Sequence, residues 1–139
     1  MKRIHGWLLP LFLLLAGCGG GGAGGDATPI VNDSAVAPSE LRFTGGAVTI
    51  SAMVTDDLGL SRVWAVITRP DQTTASVDMA GNGQLFSGTW TAPPNPRTDG
   101  VDALYRVIIH ARDTGGQVAE TTEQQFRVEA TETPPPNPF

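Results

Sequence analysis

Short alternations of apolar and polar residues fill the chain between about residue 39 and residue 129. The clearest runs over 48–55, where an apolar residue occupies every even position. Side chains of a β-strand point alternately to two faces, so a period of two predicts a strand with one buried face. Seven strands are predicted, at about 41–43, 48–55, 61–68, 77–79, 85–91 and 105–111, with a last strand that ends at Val128.

Residue types that favour turns separate these segments. Arg69-Pro70-Asp71-Gln72 predicts a turn whose proline presets the backbone angle, and Gly81-Asn82-Gly83 predicts a tight hairpin. Three prolines within 92–96 lack a ladder donor, so this segment predicts a loop between strands. No stretch of 39–129 has a sustained helical period. Short strands with regularly spaced turns predict an all-β, seven-stranded Greek-key β-sandwich.

The alternation also predicts which side chains form the core. We expect Trp90 to be a core residue and the hydroxyl of Tyr105 to bond back to the backbone, as a corner tyrosine does in sandwich domains. A region of about 90 residues is large enough to bury a core and fold alone. The predicted inward residues are Leu41, Phe43, Val48, Ile50, Ala52, Val54, Val63, Ala65, Ile67, Val77, Phe86, Trp90, Tyr105, Val107, Ile109, Ala111, Phe126 and Val128.

The outward positions of two strands predict a surface patch. Trp64 and Val66 alternate with inward residues of the third strand, and Ile108 and His110 do so on the sixth. If these strands are neighbours, the four side chains form an exposed apolar patch, the best candidate in the chain for binding a partner. Two alternatives remain. In the first, Trp64 lies beneath the proline-rich loop. In the second, the predicted phase of the strand is off by one residue, which would exchange its two faces.

A charged start, an apolar block and small residues open the chain. Lys2 and Arg3 precede an apolar block over 7–16, and Gly17 leads to Cys18. This order is typical of a secretory signal peptide. The block has ten residues, whereas a helix needs roughly 20 to span a bilayer, so a retained transmembrane anchor is not expected.

Leu15-Ala16-Gly17-Cys18 resembles the lipobox of bacterial lipoproteins. The resemblance implies that residues 1–17 are a signal peptide that is removed, and that Cys18 is alkylated by a diacylglyceryl group and acylated, as with palmitate, at the new amino terminus. The lipid bilayer is then a partner through Cys18. Gly19 stands where an inner-membrane retention signal would place aspartate, which implies the outer membrane. The alternative is an ordinary signal peptide cut near Ala16, which leaves the single cysteine as a free thiol.

Glycine dominates the segment after Cys18. Because glycine loses the most entropy on ordering and has no side chain to bury, residues 18–38 are predicted to be a flexible tether with a reach of roughly 25 Å. The glycine run lacks the strand, helix and Lys-Ser/Thr context of a phosphate-binding loop. Residues 39–130 then form the folded domain, and the proline-rich segment 131–139 is predicted to be an extended tail.

Three segments of the predicted domain, 45–59, 69–72 and 105–116, resemble the immunoglobulin-like domains that are repeated in bacterial surface proteins. The resemblance implies an immunoglobulin-like β-sandwich. Such domains serve as spacers, adhesion modules or binders of proteins and carbohydrates, so the family implies no single function. The chain carries one copy, which argues against a role as a spacer within an array.

Asp56, Asp57 and Asp113 flank predicted turns, and 111–115 resembles part of the cadherin calcium signature. Calcium requires about six to eight oxygen ligands, and the other cadherin ligand motifs are absent. Turn capping is therefore the expected role of these acids, and calcium is the weaker alternative. No metal and no cofactor other than the covalent lipid at Cys18 are expected.

Charge and residue types limit the possible functions. After removal of 1–17, the chain has seven arginines and fourteen acidic residues, a net charge of −7 that disfavours nucleic acid as a partner. His110 is then the only histidine and no lysine remains. No nucleophile-elbow motif accompanies a serine, so we expect no catalytic residues and no enzyme activity. A monomer is expected.

Two functions from different classes remain. The favoured one is a lipid-anchored, non-enzymatic module that presents a sandwich face to a protein or glycan partner at the bacterial envelope. The alternative is a structural accessory or spacer subunit of a larger envelope assembly, with no ligand site of its own. The exposure of Trp64 distinguishes them, because a buried Trp64 would remove the main support for a binding face.

Overall fold

The structure is a computed structural model that describes residues 25–131. The predicted signal peptide, Cys18 and the tail from residue 132 onward lie outside these residues. Within them, ten β-strands form two sheets in a sandwich-like arrangement, so the all-β prediction is confirmed. No helix of this part of the chain has both the length and the apolar character needed to cross a membrane.

The strands range from two residues in β2 to eleven in β8. The first five strands are β1 (Ile30–Ala37), β2 (Glu40–Leu41), β3 (Gly46–Thr55), β4 (Leu60–Thr68) and β5 (Thr74–Asp78). The remaining strands are β6 (Ala80–Asn82), β7 (Leu85–Ala92), β8 (Ala103–Asp113), β9 (Val118–Glu120) and β10 (Gln124–Val128).

Two sheets share these strands. The four-stranded sheet has the order β1-β3-β7-β6, and the six-stranded sheet has the order β2-β10-β8-β4-β5, with β9 also paired to β8. β2 runs parallel to β10, and the other pairs are antiparallel. Because β1 and β2 are consecutive in sequence but join different sheets, the start of the domain ties both layers together.

The core lies between the two sheets. Val48 and Ile50 of β3, Ile67 of β4 and Ile109 of β8 are fully buried, so the predicted phase of these three strands is correct. Burial of such side chains is the main driving force for folding. Phe43 is an exception to the prediction, because it follows β2 in a turn and is 39% exposed.

Three aromatic rings connect the two layers. Tyr105 and Phe126 stack with ring centroids 4.9 Å apart, and Trp90 of β7 packs against them at 5.5 and 6.1 Å. Trp90 is half-buried and packs against the core. Burial raises the pKa of the Tyr105 hydroxyl because the ionised form loses its hydration. This hydroxyl makes no hydrogen bond to the described backbone, so the predicted corner role of Tyr105 is wrong.

β1 corrects the predicted tether. It lies within 18–38 and pairs with β3 at both of its ends, over 30–32 and 35–37, so the chain from Ile30 onward is part of the sheet. A bulge between Asn32 and Ala35 interrupts its alternation and hides the strand in the sequence. β6 and β9 have three residues each and also escaped prediction, so the predicted count of seven strands is three too low.

Gly45 precedes β3 and has a left-handed φ of 74°. A Cβ there would lie 2.3 Å from the carbonyl oxygen of Ala92, closer than the two atoms can approach. We expect Gly45→Ala to lower the free energy of unfolding by more than about 1–2 kcal/mol, the cost of the backbone angle alone. Gly100 is the matched control, because its φ is 73° and no atom lies within 4 Å of its Cβ position. Urea unfolding of both alanine variants measures the difference, and equal losses would contradict this role for the Ala92 contact.

Candidate functional site

The outer face of the six-stranded sheet brings together the four residues predicted to form a patch. β4 and β8 are antiparallel neighbours, and their register pairs Trp64 with His110 and Val66 with Ile108. All four side chains are half-buried and point away from the core. The two cross-strand pairs lie next to each other, so they form one continuous surface, here named the Trp64 face.

Trp64 is held by three neighbours. Its ring stacks on the imidazole of His110 with centroids 5.1 Å apart and planes 9° from parallel. The guanidinium carbon of Arg62 lies 4.7 Å from the centroid of the Trp64 ring, and that of Arg112 lies 5.8 Å from it. Stacking and cation–π contacts favour a single orientation of the indole. The Trp64 face therefore presents a preorganised aromatic group.

Ion pairs surround the Trp64 face. Arg62 donates to Asp78 at 2.7 Å, and the His110 Nδ1 lies 3.2 Å from a carboxylate oxygen of Glu120. A third, longer pair joins Arg106 to Glu123 at 3.7 Å. Such exposed pairs add little stability, so their main effect is on the charge pattern around the apolar centre.

Arg127 lies farther across the same sheet, on β10 between β2 and β8. It donates to Glu40 of β2 and lies 3.4 Å from Asp102. The hydrogen bond from Arg127 is the largest cause of the lowered pKa of Glu40, and the same bond raises the pKa of Arg127. A carboxylate that accepts from a guanidinium is stabilised in its charged form.

A cavity of about 260 Å³ lies beyond Ile108 on the same side of the domain. Arg69, Arg97, Arg106 and Leu104 are among its lining residues. Leu104 is 42% exposed, so the apolar character of the Trp64 face continues toward this cavity. The whole surface follows β4 and β8 along their length.

The structure decides between the alternatives left open for Trp64. The proline-rich loop packs elsewhere, because Pro93 and Pro96 line a cavity with Pro70 and Tyr105. The phase of β4 is as predicted, because Val63 and Ala65 are buried on either side of Trp64. Trp64 is half-buried, and the neighbouring side chains of His110, Arg62 and Arg112 cover part of its indole.

Arg62 and Arg112 are part of the site but were not predicted as such. Both lie two residues from a predicted member, Arg62 before Trp64 and Arg112 after His110. The period of two that assigned Trp64 to the outer face assigns these arginines to the same face. The alternation therefore contained the signal that was needed to find them.

The acids weighed as calcium ligands lie at one end of the sandwich. Asp56 Oδ2 accepts from the backbone N–H groups of Leu58 and Gly59, which is the geometry of turn capping. Asp57 is exposed, whereas Asp113 is only 1% exposed. Among residues 25–131, no three or more His, Cys, Asp or Glu side chains are gathered as a ready-made metal site.

Comparisons with known proteins add little to this description. No protein-family model matches the chain, and no curated protein matches it. Among solved structures, the chain is similar to the crystal structure of an engineered protein from the Northeast Structural Genomics Consortium, with 20% identity and a TM-score of 0.44. The match covers 77% of this chain and 21% of that chain.

Proposed function

We propose that this protein is a lipid-anchored, non-enzymatic immunoglobulin-like module that binds a protein partner at the bacterial envelope through the Trp64 face. The observation that carries the proposal is the clamped indole of Trp64, which Arg62 and His110 hold on an outer sheet face. Tryptophan and arginine are enriched among the residues that dominate binding energies at protein interfaces. An apolar centre with a charged rim is also the usual anatomy of such an interface.

A protein fits this face better than a glycan does. A sugar ring packs on the free π face of an aromatic side chain, but His110 and Arg62 already engage the π system of Trp64. What remains accessible is the indole edge together with Val66 and Ile108. These groups suit the apolar side chains of a protein surface.

The order of the strands supports the immunoglobulin-like part of the proposal. In sandwiches of that type, two antiparallel sheets carry Greek-key connections. Here β1 and β2 divide the first part of the domain between the sheets, and β2 pairs with β10. The placement of β4 and β8 side by side also agrees with that arrangement.

The anchoring part of the proposal rests on the sequence. The lipobox-like Leu15-Ala16-Gly17-Cys18 supports lipidation at Cys18, and Gly19 supports the outer membrane as the location. The mature net charge of −7 supports a partner other than nucleic acid. We propose a monomer that binds the bilayer through Cys18 and its partner through the Trp64 face.

Site-specific photo-cross-linking in the cells that make the protein tests the binding face. A photoreactive residue at Val66 is expected to give one discrete protein adduct, and one at Thr89, exposed on the other sheet, to give none. Adding Trp64→Ala is expected to reduce the Val66 adduct at least about tenfold, because interface tryptophans often contribute 2 kcal/mol or more.

Leu85→Ala is the control for Trp64→Ala, because Leu85 is a 52% exposed apolar residue on the other sheet. It is expected to leave the adduct unchanged, and circular dichroism checks that both variants fold. Equal adduct yields with and without Trp64 would overturn the proposal. A heterogeneous, glycosidase-sensitive adduct would show a glycan partner instead.

A further inference from the structure

Three carboxylates at one end of the sandwich each keep a buried oxygen without a hydrogen bond from a described residue. They are Asp26, which precedes β1, Asp56, which follows β3, and Asp113, which ends β8. The unpartnered atoms are Oδ1 of Asp26, Oδ1 of Asp56 and Oδ2 of Asp113. Buried polar atoms are nearly always satisfied, so three orphans in one region require a physical cause.

Asp113 is the most unusual of the three. It is 1% exposed and is the only buried charged or polar residue among residues 25–131. Its Oδ1 accepts from the backbone N–H of Gln117 at 2.8 Å, which leaves Oδ2 without a partner. A buried ionised group without a compensating charge is strongly unfavourable. The ion pairs of the described residues all involve other acids.

Asp26 and Asp113 meet beside Gly115. A Cβ on Gly115 would lie 1.6 Å from Asp26 Oδ2 and 3.3 Å from Asp113 Oδ1, so the two carboxylates approach the space that a side chain would fill. Gln117 connects them further, because its side-chain amide donates to the carbonyl of Asp26 at 2.5 Å. Two like charges placed together repel each other unless a cation or a proton lies between them.

Asp56 belongs to the same end of the domain. It lines a cavity of about 300 Å³ with Ala27 and Thr28, the residues that follow Asp26. The turn that Asp56 caps is connected to the Asp113 side, because the carbonyl of Gly59 accepts from the N–H of Thr114 at 3.0 Å. The three carboxylates thus belong to adjoining segments without closing around one point.

We propose that this end of the sandwich binds a calcium ion, with Asp26 and Asp113, the two carboxylates that meet beside Gly115, as its carboxylate ligands. A cation neutralises the charges that no arginine reaches and gives the orphaned oxygens a partner. The donors are carboxylates, and neither histidine nor cysteine is among them, which favours a hard cation over zinc. Calcium accepts irregular oxygen ligation, with water and backbone carbonyls completing the set, whereas magnesium demands a near-ideal octahedron.

Calorimetric titration of the full chain, purified in detergent and freed of metal, tests the site with calcium chloride alone. One calcium ion is expected to bind with a Kd of about 1 mM or tighter, the range of extracellular calcium modules. The midpoint of thermal unfolding is expected to rise with calcium and to return when a chelator is added. The proposal would be overturned if neither calcium binding nor a rise in the unfolding midpoint is seen at 10 times that calcium concentration. An equal response to magnesium would also overturn it.

Three variants locate the site. Asp26→Asn is expected to weaken calcium binding at least about tenfold, since ligand charge sets the affinity of such sites. Gly115→Ala keeps every charge but fills the space beside Asp26, and the same loss is expected. Asp57→Asn is the matched control, because Asp57 is exposed and holds no orphaned oxygen, and it is expected to bind as the unmodified chain does.

The variants also keep the test independent of folding and of the Trp64 face. Asp113→Asn changes a buried residue, so its stability without calcium differs from that of the unmodified chain for reasons unrelated to calcium binding. Its expected signature is a loss of the calcium-dependent shift in unfolding temperature, whatever its stability without calcium. Unchanged calcium binding by both Asp26→Asn and Gly115→Ala would refute the assignment of these ligands, while cross-linking at Val66 would be unaffected.

Discussion

Trp90→Ala is expected to lower the free energy of unfolding by about 3–5 kcal/mol, the usual cost of removing a large aromatic side chain from a core. The Trp90 ring packs against Tyr105 and Phe126, which lie on the opposite sheet. Alanine would leave a cavity between the layers that these rings cannot fill without moving. A domain of this size has a total stability of roughly 5–15 kcal/mol, so the loss is a large part of it.

Urea unfolding followed by far-ultraviolet circular dichroism measures this loss. Trp64→Ala is the matched control, since the same side chain is removed from an outer face instead of from the contact between the sheets. We expect the control to cost clearly less, because Trp64 lies on an outer face beside the exposed side chains of Arg62 and Arg112 instead of between the sheets. A loss at Trp90 no greater than that at Trp64 would show that the aromatic cluster does not join the two layers.

Cys18→Ala is expected to move the protein from the membrane fraction to the soluble fraction. The proposed anchor consists of acyl chains, each held by about 0.8 kcal/mol for every buried CH₂, and several chains together hold a protein firmly. Without the thiol, no lipid can be attached there. Intact-mass measurement of the membrane-purified protein is expected to give a chain that begins at Cys18 and carries the added lipid mass.

Gly19→Asp is the companion variant for this prediction. It keeps Cys18 and so is expected to keep the lipid, but by the resemblance to sorting signals it is expected to stay in the inner membrane. Separation of the two membranes on a density gradient distinguishes these outcomes. An unmodified mass for the natural chain would overturn the lipoprotein proposal altogether.

The strands that could be predicted are those whose alternation is unbroken. β3, β4 and β8 keep a strict period of two, and each was placed with the correct face toward the core. β1 could not be found in this way, because Asp33 adopts a positive φ of 46° and the bulge shifts its register. A bulge changes which side chains face inward without changing the residue types, so composition alone does not reveal it.

The two candidate sites differ in how much of them the sequence contains. The Trp64 face follows from alternation on two strands, because strand pairing brings their outward positions together. The partnership of Asp26 with Asp113 joins residues far apart in the chain, and no local pattern marks it. Asp26 also stands at the end of a glycine run, where the composition predicts a tether and conceals an ordered residue.

The early start of β1 at Ile30 leaves only a short segment between Cys18 and the folded domain. Seven residues, 19–25, lie between Cys18 and Asp26, and the eight residue-to-residue steps cover at most about 29 Å even in a fully extended chain. If Cys18 carries the proposed lipid, Asp26 lies within that distance of the point of attachment.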